Sequence, residues 1–356
     1  MKKTPIIIIL TILFVSVALF FIFRGVSISQ TTLEECKVIT HNGDEKTNLV
    51  FFSPKSQAQE YSDYLLNIKP FSENTEAFNF YYIDSYIPEC ELYQEIALLC
   101  YSRELIKKAS SCPNDYIVVL KEDNIKIRSS SYMNLLSLNS KHPLSVLTHE
   151  FGHAFSNLAD EYVPSTIPKN SKNCVTNCEQ FGTGKNCYEG CSKNTLYRST
   201  ENSVMRNLYS ENYGTFNENI ISEKINQNLP TIGKAITNIQ NCEEESYYLI
   251  EASYADEEIT LVSKQKEKGC VGTGGEGEFN YKVVTKEGTV FLDKDFNPNL
   301  IFTDSNEEGG VLEAEGNFLL QIPLIANAET LEISKEGTIL SEINLQDIGA
   351  RPCKNE

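Results

Sequence analysis

The sequence predicts an α+β domain followed by an all-β sandwich of immunoglobulin-like type, with an N-terminal transmembrane helix. Three observations lead to this fold class. An uncharged apolar run lies between Lys3 and Arg24, strand-like and helical patterns alternate up to Cys242, and only strand-like runs follow. A length of 356 residues also favours more than one domain, because a single core rarely grows so large.

The N-terminal segment is predicted to span a membrane. At a rise of about 1.5 Å per residue, the uncharged run is long enough to cross a hydrocarbon core of about 30 Å. Lys2 and Lys3 outweigh Arg24, which predicts a cytoplasmic terminus and export of all that follows. A cleaved signal peptide is the alternative. We therefore expect a single-pass membrane anchor at 1–29 and extracytoplasmic domains.

Periodicity sets the boundaries of the two domains, at 36–242 and 243–353. The second domain contains eight strand-like runs separated by Gly, Asp and Asn turns, as in a small antiparallel sandwich. In the first domain the patterns predict strands at 48–52, 78–83 and 116–120, and helices at 57–67 and 92–108. One strand-like run of the second domain is 310–314.

Composition excludes several classes of protein. Hydrophobic residues make up 41% of the chain and charged residues 22%, which is ordinary for a globular protein and excludes a disordered or collagen-like chain. The formal net charge is −18. Such an acidic chain repels phosphate backbones, so we expect no nucleic-acid partner.

Eleven cysteines, all beyond the predicted anchor, indicate an oxidising compartment in which thiols are paired. Four of them form two Cys-x3-Cys pairs in an insertion at 172–192. We expect two disulfides there, with a zinc ribbon as the alternative. Elsewhere the spacing suggests one pairing, Cys100 with Cys112.

The strongest local signal is His149-Glu150-Phe151-Gly152-His153. Helical residues four apart share a face, so both imidazoles can bind one metal ion while Glu150 reaches a water on that ion. Zn²⁺ acidifies such a water and polarises a carbonyl, and a carboxylate takes the proton and returns it to the leaving amine. With only four histidines in the chain, coincidence is a poor explanation. The pattern predicts a zinc-dependent hydrolase with Glu150 as the general base.

A zinc site of this kind needs a third protein ligand. On a continued helix Asp160 would lie about 10 Å beyond His153, so the chain must turn first. Asn157 can supply that turn, since Asn tolerates the left-handed conformation that ends helices. We expect Asp160 to be the third ligand, with Glu161 as the competing candidate.

The fourteen residues from His149 to Tyr162 resemble the signature of the IgA-peptidase family of zinc metallopeptidases, His-Glu-Phe-Gly-His followed by Leu-Ala-Asp-Glu-Tyr. This resemblance implies a zincin-like, metzincin-related catalytic domain that hydrolyses peptide bonds. Relatives of the metzincins place glycine at the turn where this chain has Asn157. The segment 202–206 is similar to the turn that places a methionine beneath the zinc, which implies that role for Met205, with an ordinary core methionine as the alternative.

Other candidates follow from the residues alone. Tyr209 and Tyr213 could each donate to the oxyanion of a tetrahedral intermediate. The alternating segment 124–129 is predicted to be an edge strand that pairs with an extended peptide substrate. His142 is expected at the surface, and the acidic run from Asp293 to Asp304 has partial calcium-loop spacing.

Together these patterns predict a membrane-anchored, extracytoplasmic zinc metalloendopeptidase that acts on polypeptides. Two alternatives stay open. One is a surface adhesion or binding protein with a vestigial zinc site, and the other is a zinc amidase acting on cell-wall peptides.

Overall fold

The fold is mainly β. A computed structural model describes residues 33–182, 186–228, 242–304, 311–314 and 316–346. In these ranges it has nineteen β-strands and only four α-helices. The predicted fold class, an α+β domain with a transmembrane helix, is therefore wrong. The α+β expectation overestimated helix, because the first part of the run predicted as a helix at 92–108 forms two short strands and a turn.

The predicted membrane anchor is also corrected. Among the described residues no helix is long and apolar enough to cross a membrane. Residues 1–29, on which the prediction rested, lie outside the described residues. The structure does describe five disulfides, which are typical of extracellular or secreted proteins.

The elements are numbered in chain order. The helices are α1 Lys55–Asn67, α2 Arg103–Ala109, α3 Ser145–Ser156 and α4 Thr215–Asn228, with 3₁₀ turns at Phe71–Glu73, Thr75–Ala77 and Cys178–Phe181. The strands are β1 Lys37–Thr40, β2 Thr47–Phe52, β3 Phe78–Ile83, β4 Glu91–Tyr93, β5 Ala97–Leu99, β6 Tyr116–Lys121, β7 Ser130–Tyr132, β8 Leu135–Asn139, β9 Tyr188–Cys191, β10 Lys193–Arg198, β11 Ser246–Ala255, β12 Glu258–Lys268, β13 Phe279–Thr285, β14 Val290–Phe296, β15 Leu300–Thr303, β16 Val311–Glu313, β17 Asn317–Pro323, β18 Ala328–Lys335 and β19 Thr338–Asn344.

The largest sheet has eight strands in the order β1-β3-β2-β6-β8-β7-β15-β16. Four central strands, β3, β2, β6 and β8, run parallel. Strand β7 is antiparallel to β8, and β15 is antiparallel to β7. The sheet therefore changes from parallel to antiparallel beside the helix that follows β8.

Both faces of the parallel strands are buried, which explains their continuous apolar runs. Leu49 and Phe51 point to the face covered by α1, α3 and α4. Val50 and Phe52 point to the opposite face, against α2 and the strands β11 and β17. Because successive side chains of β2 point to opposite faces of the sheet, this one strand contributes to two separate cores.

The C-terminal part forms two further sheets, β12-β11-β17 and β14-β13-β18-β19, which share one apolar core. Two strands from this part join the large sheet instead. The predicted sandwich run 310–314 contributes β16, and β15 pairs with β7. The expected place of 310–314 in the sandwich is therefore wrong, because its pairing partner lies in the large sheet. The proposed division at 242/243 stays a prediction.

The strands predicted at 48–52, 78–83 and 116–120 are confirmed as β2, β3 and β6, whereas two other local predictions were wrong. The predicted helix 92–108 is a β4–β5 hairpin followed by α2, with a turn at Gln94 and Glu95, both at positive φ. The predicted edge strand 124–129 is a loop, held by Asn139, whose amide donates to the carbonyls of Asn124 and Ile127. The helix predicted at 57–67 is confirmed as α1.

The disulfides correct one predicted pairing and confirm the expectation for the insertion. Two disulfides close the Cys-rich insertion, as expected. Cys100 and Cys112 are not bonded to each other, because Cys100 closes the neighbouring hairpin and Cys112 reaches the N-terminal strand. The pairs are Cys36–Cys112, Cys90–Cys100, Cys174–Cys191, Cys178–Cys187 and Cys242–Cys270.

Loop length predicts which disulfide matters most for stability. Cys36 and Cys112 are 76 residues apart, whereas Cys178 and Cys187 are 9 apart. Replacing the first pair by alanine should lower the free energy of unfolding by about 4.5 kcal/mol, and replacing the second by about 2.5 kcal/mol. Chemical denaturation of both variants beside the wild type checks this. An equal loss in the two variants would contradict the loop-entropy argument.

Candidate metal centre

Helix α3 carries both histidines of the motif. The helix is buried from Ser145 to Phe155, with His149 at 2% and His153 at 1% exposure. Because the two residues are four apart, their rings lie one turn apart on the same face. Their Nε2 atoms are 3.2 Å apart. The helix thus presents two imidazole nitrogens to one point.

The helix ends where the sequence predicted. Asn157 has φ 49° and ψ 36°, the left-handed conformation, and the expectation for this residue is confirmed. Its side-chain amide donates to the carbonyl of Lys169 at 2.7 Å. The chain then reverses, which brings the Asp160 Oδ1 atom to 3.4 Å from His149 Nε2 and 3.3 Å from His153 Nε2.

Backbone carbonyls fix both imidazoles. His149 Nδ1 lies 2.9 Å from the Val204 carbonyl, and His153 Nδ1 lies 2.6 Å from the Leu158 carbonyl. A carbonyl oxygen only accepts, so each Nδ1 must donate. Each neutral ring then keeps an unprotonated Nε2, the form that binds a metal ion.

The carboxylate of Asp160 is oriented in the same way. Ser165 Oγ donates to Asp160 Oδ2 at 2.9 Å, while the buried Oδ1 has no hydrogen-bond partner. A buried oxygen without a partner is costly unless something else binds it. The free Oδ1 points to where the two Nε2 atoms converge.

The three atoms fit a tetrahedral metal ion. Their separations are 3.2, 3.3 and 3.4 Å. A tetrahedral ion with bonds of about 2.0–2.1 Å keeps its ligand atoms about 3.3–3.4 Å apart. Within the part of the chain that the structure describes, His149, His153 and Asp160 are the one group of three or more His, Cys, Asp or Glu that could hold a metal ion.

The site favours positive charge. Burial opposes a charge on His149, but the nearby carboxylate of Asp160 and the charge of Glu150 outweigh it and raise the pKa of His149 to about 9. The groups that favour this proton would also favour a cation, and a metal ion that binds the ring displaces the proton. Burial likewise opposes ionisation of Asp160, yet the two imidazoles lower its pKa well below the ordinary value. The carboxylate therefore stays ionised, as a metal ligand must be.

Glu150 follows the first ligand and is fully buried. Neither of its carboxylate oxygens has a hydrogen-bond partner. Burial raises the pKa of Glu150 well above its ordinary value, and the charges of Asp304 and Asp160 act in the same direction. A carboxyl group with a raised pKa and free oxygens is suited to accept a proton and give it back.

Glu161, the competing candidate for the third ligand, is hydrogen-bonded to other side chains. Its carboxylate accepts from Ser203, from Asn217 at 2.8 Å and from Asn173 at 3.3 Å. Its backbone N–H donates to the Met205 carbonyl at 2.8 Å. Glu161 therefore joins the ligand loop to the turn at 203–206, and Asp160 is the carboxylate that meets the histidines.

Met205 packs against helix α3 at Gly152, which lies within the motif. It is fully buried, and a Cβ built on Gly152 would lie 2.7 Å from the Met205 Sδ and 3.1 Å from Tyr213 Cε1. Only glycine leaves room for this contact. The neighbouring Val204 carbonyl is the acceptor that orients His149. The turn at 203–206 thus packs against the helix and orients one of its two histidines.

The two tyrosines lie in different surroundings. Tyr213 is fully buried and donates to the Thr148 carbonyl, so its hydroxyl is committed to the helix backbone. Tyr209 is 84% exposed and lines a polar cleft of about 600 Å³ together with Tyr162 and Arg206. The cleft lies beside the ligand loop, and none of the three candidate ligands lines it.

The sequence did not predict the ion pair between His142 and Asp304. His142 was expected at the surface, yet its side chain is 10% exposed and its Nδ1 lies 2.5 Å from Asp304 Oδ2. Burial opposes the charge, but the pairing with Asp304 outweighs it and raises the pKa of His142. Because the two residues are far apart in sequence, no local spacing could reveal the pair.

The calcium-loop spacing does not produce a cluster of ligands. Asp293 and Asp295 lie on β14, and their carboxylates accept from the amide of Asn280 on β13. Asp304 lies at the end of β15 and binds His142 instead. The spacing therefore reflects alternation along a strand.

No known family matches the chain, and no curated protein matches it in sequence. The resemblance to the IgA-peptidase family stays a prediction, carried by the residues from His149 to Tyr162.

The geometry predicts which residues bind the metal. Zinc content should be about one per chain in the wild type and should be lost in His153→Ala and in Asp160→Ala, because each removes one of three ligands. Glu161→Gln should keep the metal, since both carboxylate oxygens of Glu161 already accept hydrogen bonds from other side chains. Elemental analysis checks this. Loss of zinc in Glu161→Gln with retention in Asp160→Ala would show that the third ligand is wrong.

The contact between Gly152 and Met205 predicts a double-mutant coupling. Gly152→Ala should destabilise the protein by about 1–3 kcal/mol through the clash with Met205 Sδ. In a Met205→Ala background the same change should cost much less, because the 2.7 Å contact is removed and only the 3.1 Å contact with Tyr213 Cε1 remains. Denaturation of the four proteins checks this, and additive effects would contradict it.

Proposed function

We propose that the protein is an extracellular zinc-dependent metalloendopeptidase. The observation that carries this proposal is the convergence of His149 Nε2, His153 Nε2 and Asp160 Oδ1 at tetrahedral spacing, on the helix that also carries Glu150. Two imidazoles and one carboxylate are a donor set of catalytic zinc sites, in which a bound ion would keep a further position for water or substrate.

In the proposed reaction, one residue of the chain transfers the proton and others keep the metal ligands in position. When bound, zinc supplies a Lewis acid that acidifies water and polarises a carbonyl. Glu150 takes the proton of the attacking water and returns it to the amine that leaves. Val204, Leu158 and Ser165 keep the ligands in place through their hydrogen bonds.

The choice of zinc rests on the donor set and on Glu150. A pair of histidines with one carboxylate also occurs at Fe(II) sites that activate oxygen. Here the residue after the first ligand is a buried carboxyl close enough to feel the charges of His149 and Asp160. A general base in this position supports hydrolysis. Elemental analysis for both metals tests the choice.

The five disulfides support an extracellular setting. One of them, Cys174–Cys191, closes the insertion beside the ligand loop. Its Cys174 Sγ lies 3.7 Å from the Asp160 carbonyl, and Ser192 donates to that carbonyl at 2.6 Å. Oxidation therefore fixes the backbone that presents the third ligand.

Glu150→Gln tests the mechanism. The amide keeps the shape of the side chain but cannot accept the proton, so hydrolysis of an unstructured protein such as casein should fall by about 10²–10⁴-fold. Zinc content should not change. Glu223→Gln is the matched control, because Glu223 is exposed on α4. An unchanged rate in zinc-loaded Glu150→Gln would refute the mechanism.

The same preparations separate the alternatives. A wild type that binds no zinc when the metal is supplied would favour a binding protein with a vestigial site. Cleavage of cell-wall peptides but not of casein would favour the amidase.

A further inference from the structure

The outer edge of β7 is paired with a segment from the other end of the chain. Strand β15 runs antiparallel to β7, with Phe302 opposite Ser131 and Thr303 opposite Ser130. Both strands contact helix α3, which carries the candidate metal ligands. The C-terminal part of the chain therefore reaches across the sheet to the metal centre.

Three consecutive residues of this segment are each fixed to the site. The ring of Phe302 stacks on His153, with centroids 4.6 Å apart and planes inclined by 20°. The Thr303 carbonyl accepts from the Tyr162 hydroxyl at 3.1 Å. Asp304 pairs with His142, just before α3. We call Phe302, Thr303 and Asp304 the cover segment.

The cover segment lies over ligands that solvent barely reaches. His149, His153 and Asp160 are each 2% exposed or less, and Thr303 is fully buried. A polypeptide must bring its carbonyl to the open position of the metal before it can be cleaved. Phe302, which lies on the strand paired with β7, contacts the candidate ligand His153.

An extended peptide that adds to a sheet edge pairs through its backbone and places alternate side chains in pockets. Strand β15 does both at β7. Its backbone supplies the antiparallel pairing, and Phe302 contacts a residue of the metal centre. The free edge that such a peptide would need is filled by this chain itself.

We propose that the outer edge of β7 is the peptide-binding edge of the metal centre and that the cover segment occupies it as an internal ligand, so that the protein as described is latent. The peptide accepted there is extended, runs antiparallel to β7 and carries an aromatic side chain over His153. This proposal rests on the proposed function, since latency has meaning only for an enzyme.

The test releases the segment in the full chain. Phe302→Ala combined with Asp304→Ala removes the stacked ring and the partner of His142, but leaves the ligands intact. The matched control is Leu312→Ala with Glu313→Ala in β16, which flanks β15 on the side away from β7. Asp304→Asn alone, which keeps the side-chain volume, is measured in parallel in case the double variant does not fold.

The first readout is binding, which needs no catalysis. A labelled peptide with the sequence of 298–304, Pro-Asn-Leu-Ile-Phe-Thr-Asp, should bind the released variant at least about tenfold more tightly than the wild type or the control. A peptide of the same composition in scrambled order should not. Equal binding by wild type, variant and control would overturn the proposal.

The second readout is hydrolysis of an internally quenched peptide. The released variant should cleave it at least about tenfold faster than the wild type, and the β16 control should not. Peptide binding without hydrolysis in any zinc-loaded form would support the binding edge and refute the proposed function. Full hydrolysis by the wild type, with no gain on release, would keep the proposed function and overturn latency.

Discussion

The candidate site depends on one backbone conformation, the left-handed turn at Asn157. A helix alone can bring together His149 and His153, because four residues make about one turn. It cannot bring Asp160 to them, and the reversal after Asn157 does so within three residues. The side chain of Asn157 also donates to the Lys169 carbonyl, which ties the turn to the next loop. A β-branched residue would be strained at this position, whereas Asn tolerates it.

Two adjacent buried carboxylates have separate tasks because their partners differ. Asp160 has one oxygen fixed by Ser165 and one free for a cation. Glu161 has both oxygens occupied by donors from three segments of the chain, at 173, 203 and 217. Burial raises the pKa of Glu161, and the donors partly offset that effect. Glu161 thus holds the loop in place, and Asp160 binds the metal in our proposal.

The sequence could predict what is local and could not predict what is distant. The spacing of His149 and His153, the turn at Asn157 and the carboxylate of Asp160 all lie within twelve residues, and the structure brings them together. The predicted helix 92–108 failed because a turn and a disulfide divide the segment. The pairing of β15 with β7 and the ion pair of His142 with Asp304 join residues more than 150 apart, so no spacing rule could find them.

The burial of the site affects both the stability of the folded chain and the access of a substrate to the site. The three candidate ligands are 2% exposed or less, so they would hold a metal away from water, where the charge of Asp160 is screened less than in bulk solvent. Because a bound ion also satisfies an otherwise unpartnered Asp160 Oδ1, metal binding should stabilise the folded chain by mass action. In our proposal, Phe302 and Thr303, which contact His153 and Tyr162, also exclude a polypeptide substrate. In our proposal, the protein must move β15 before it can use a bound metal, so the burial that would retain the metal and the access that a substrate needs compete for the same edge of the sheet.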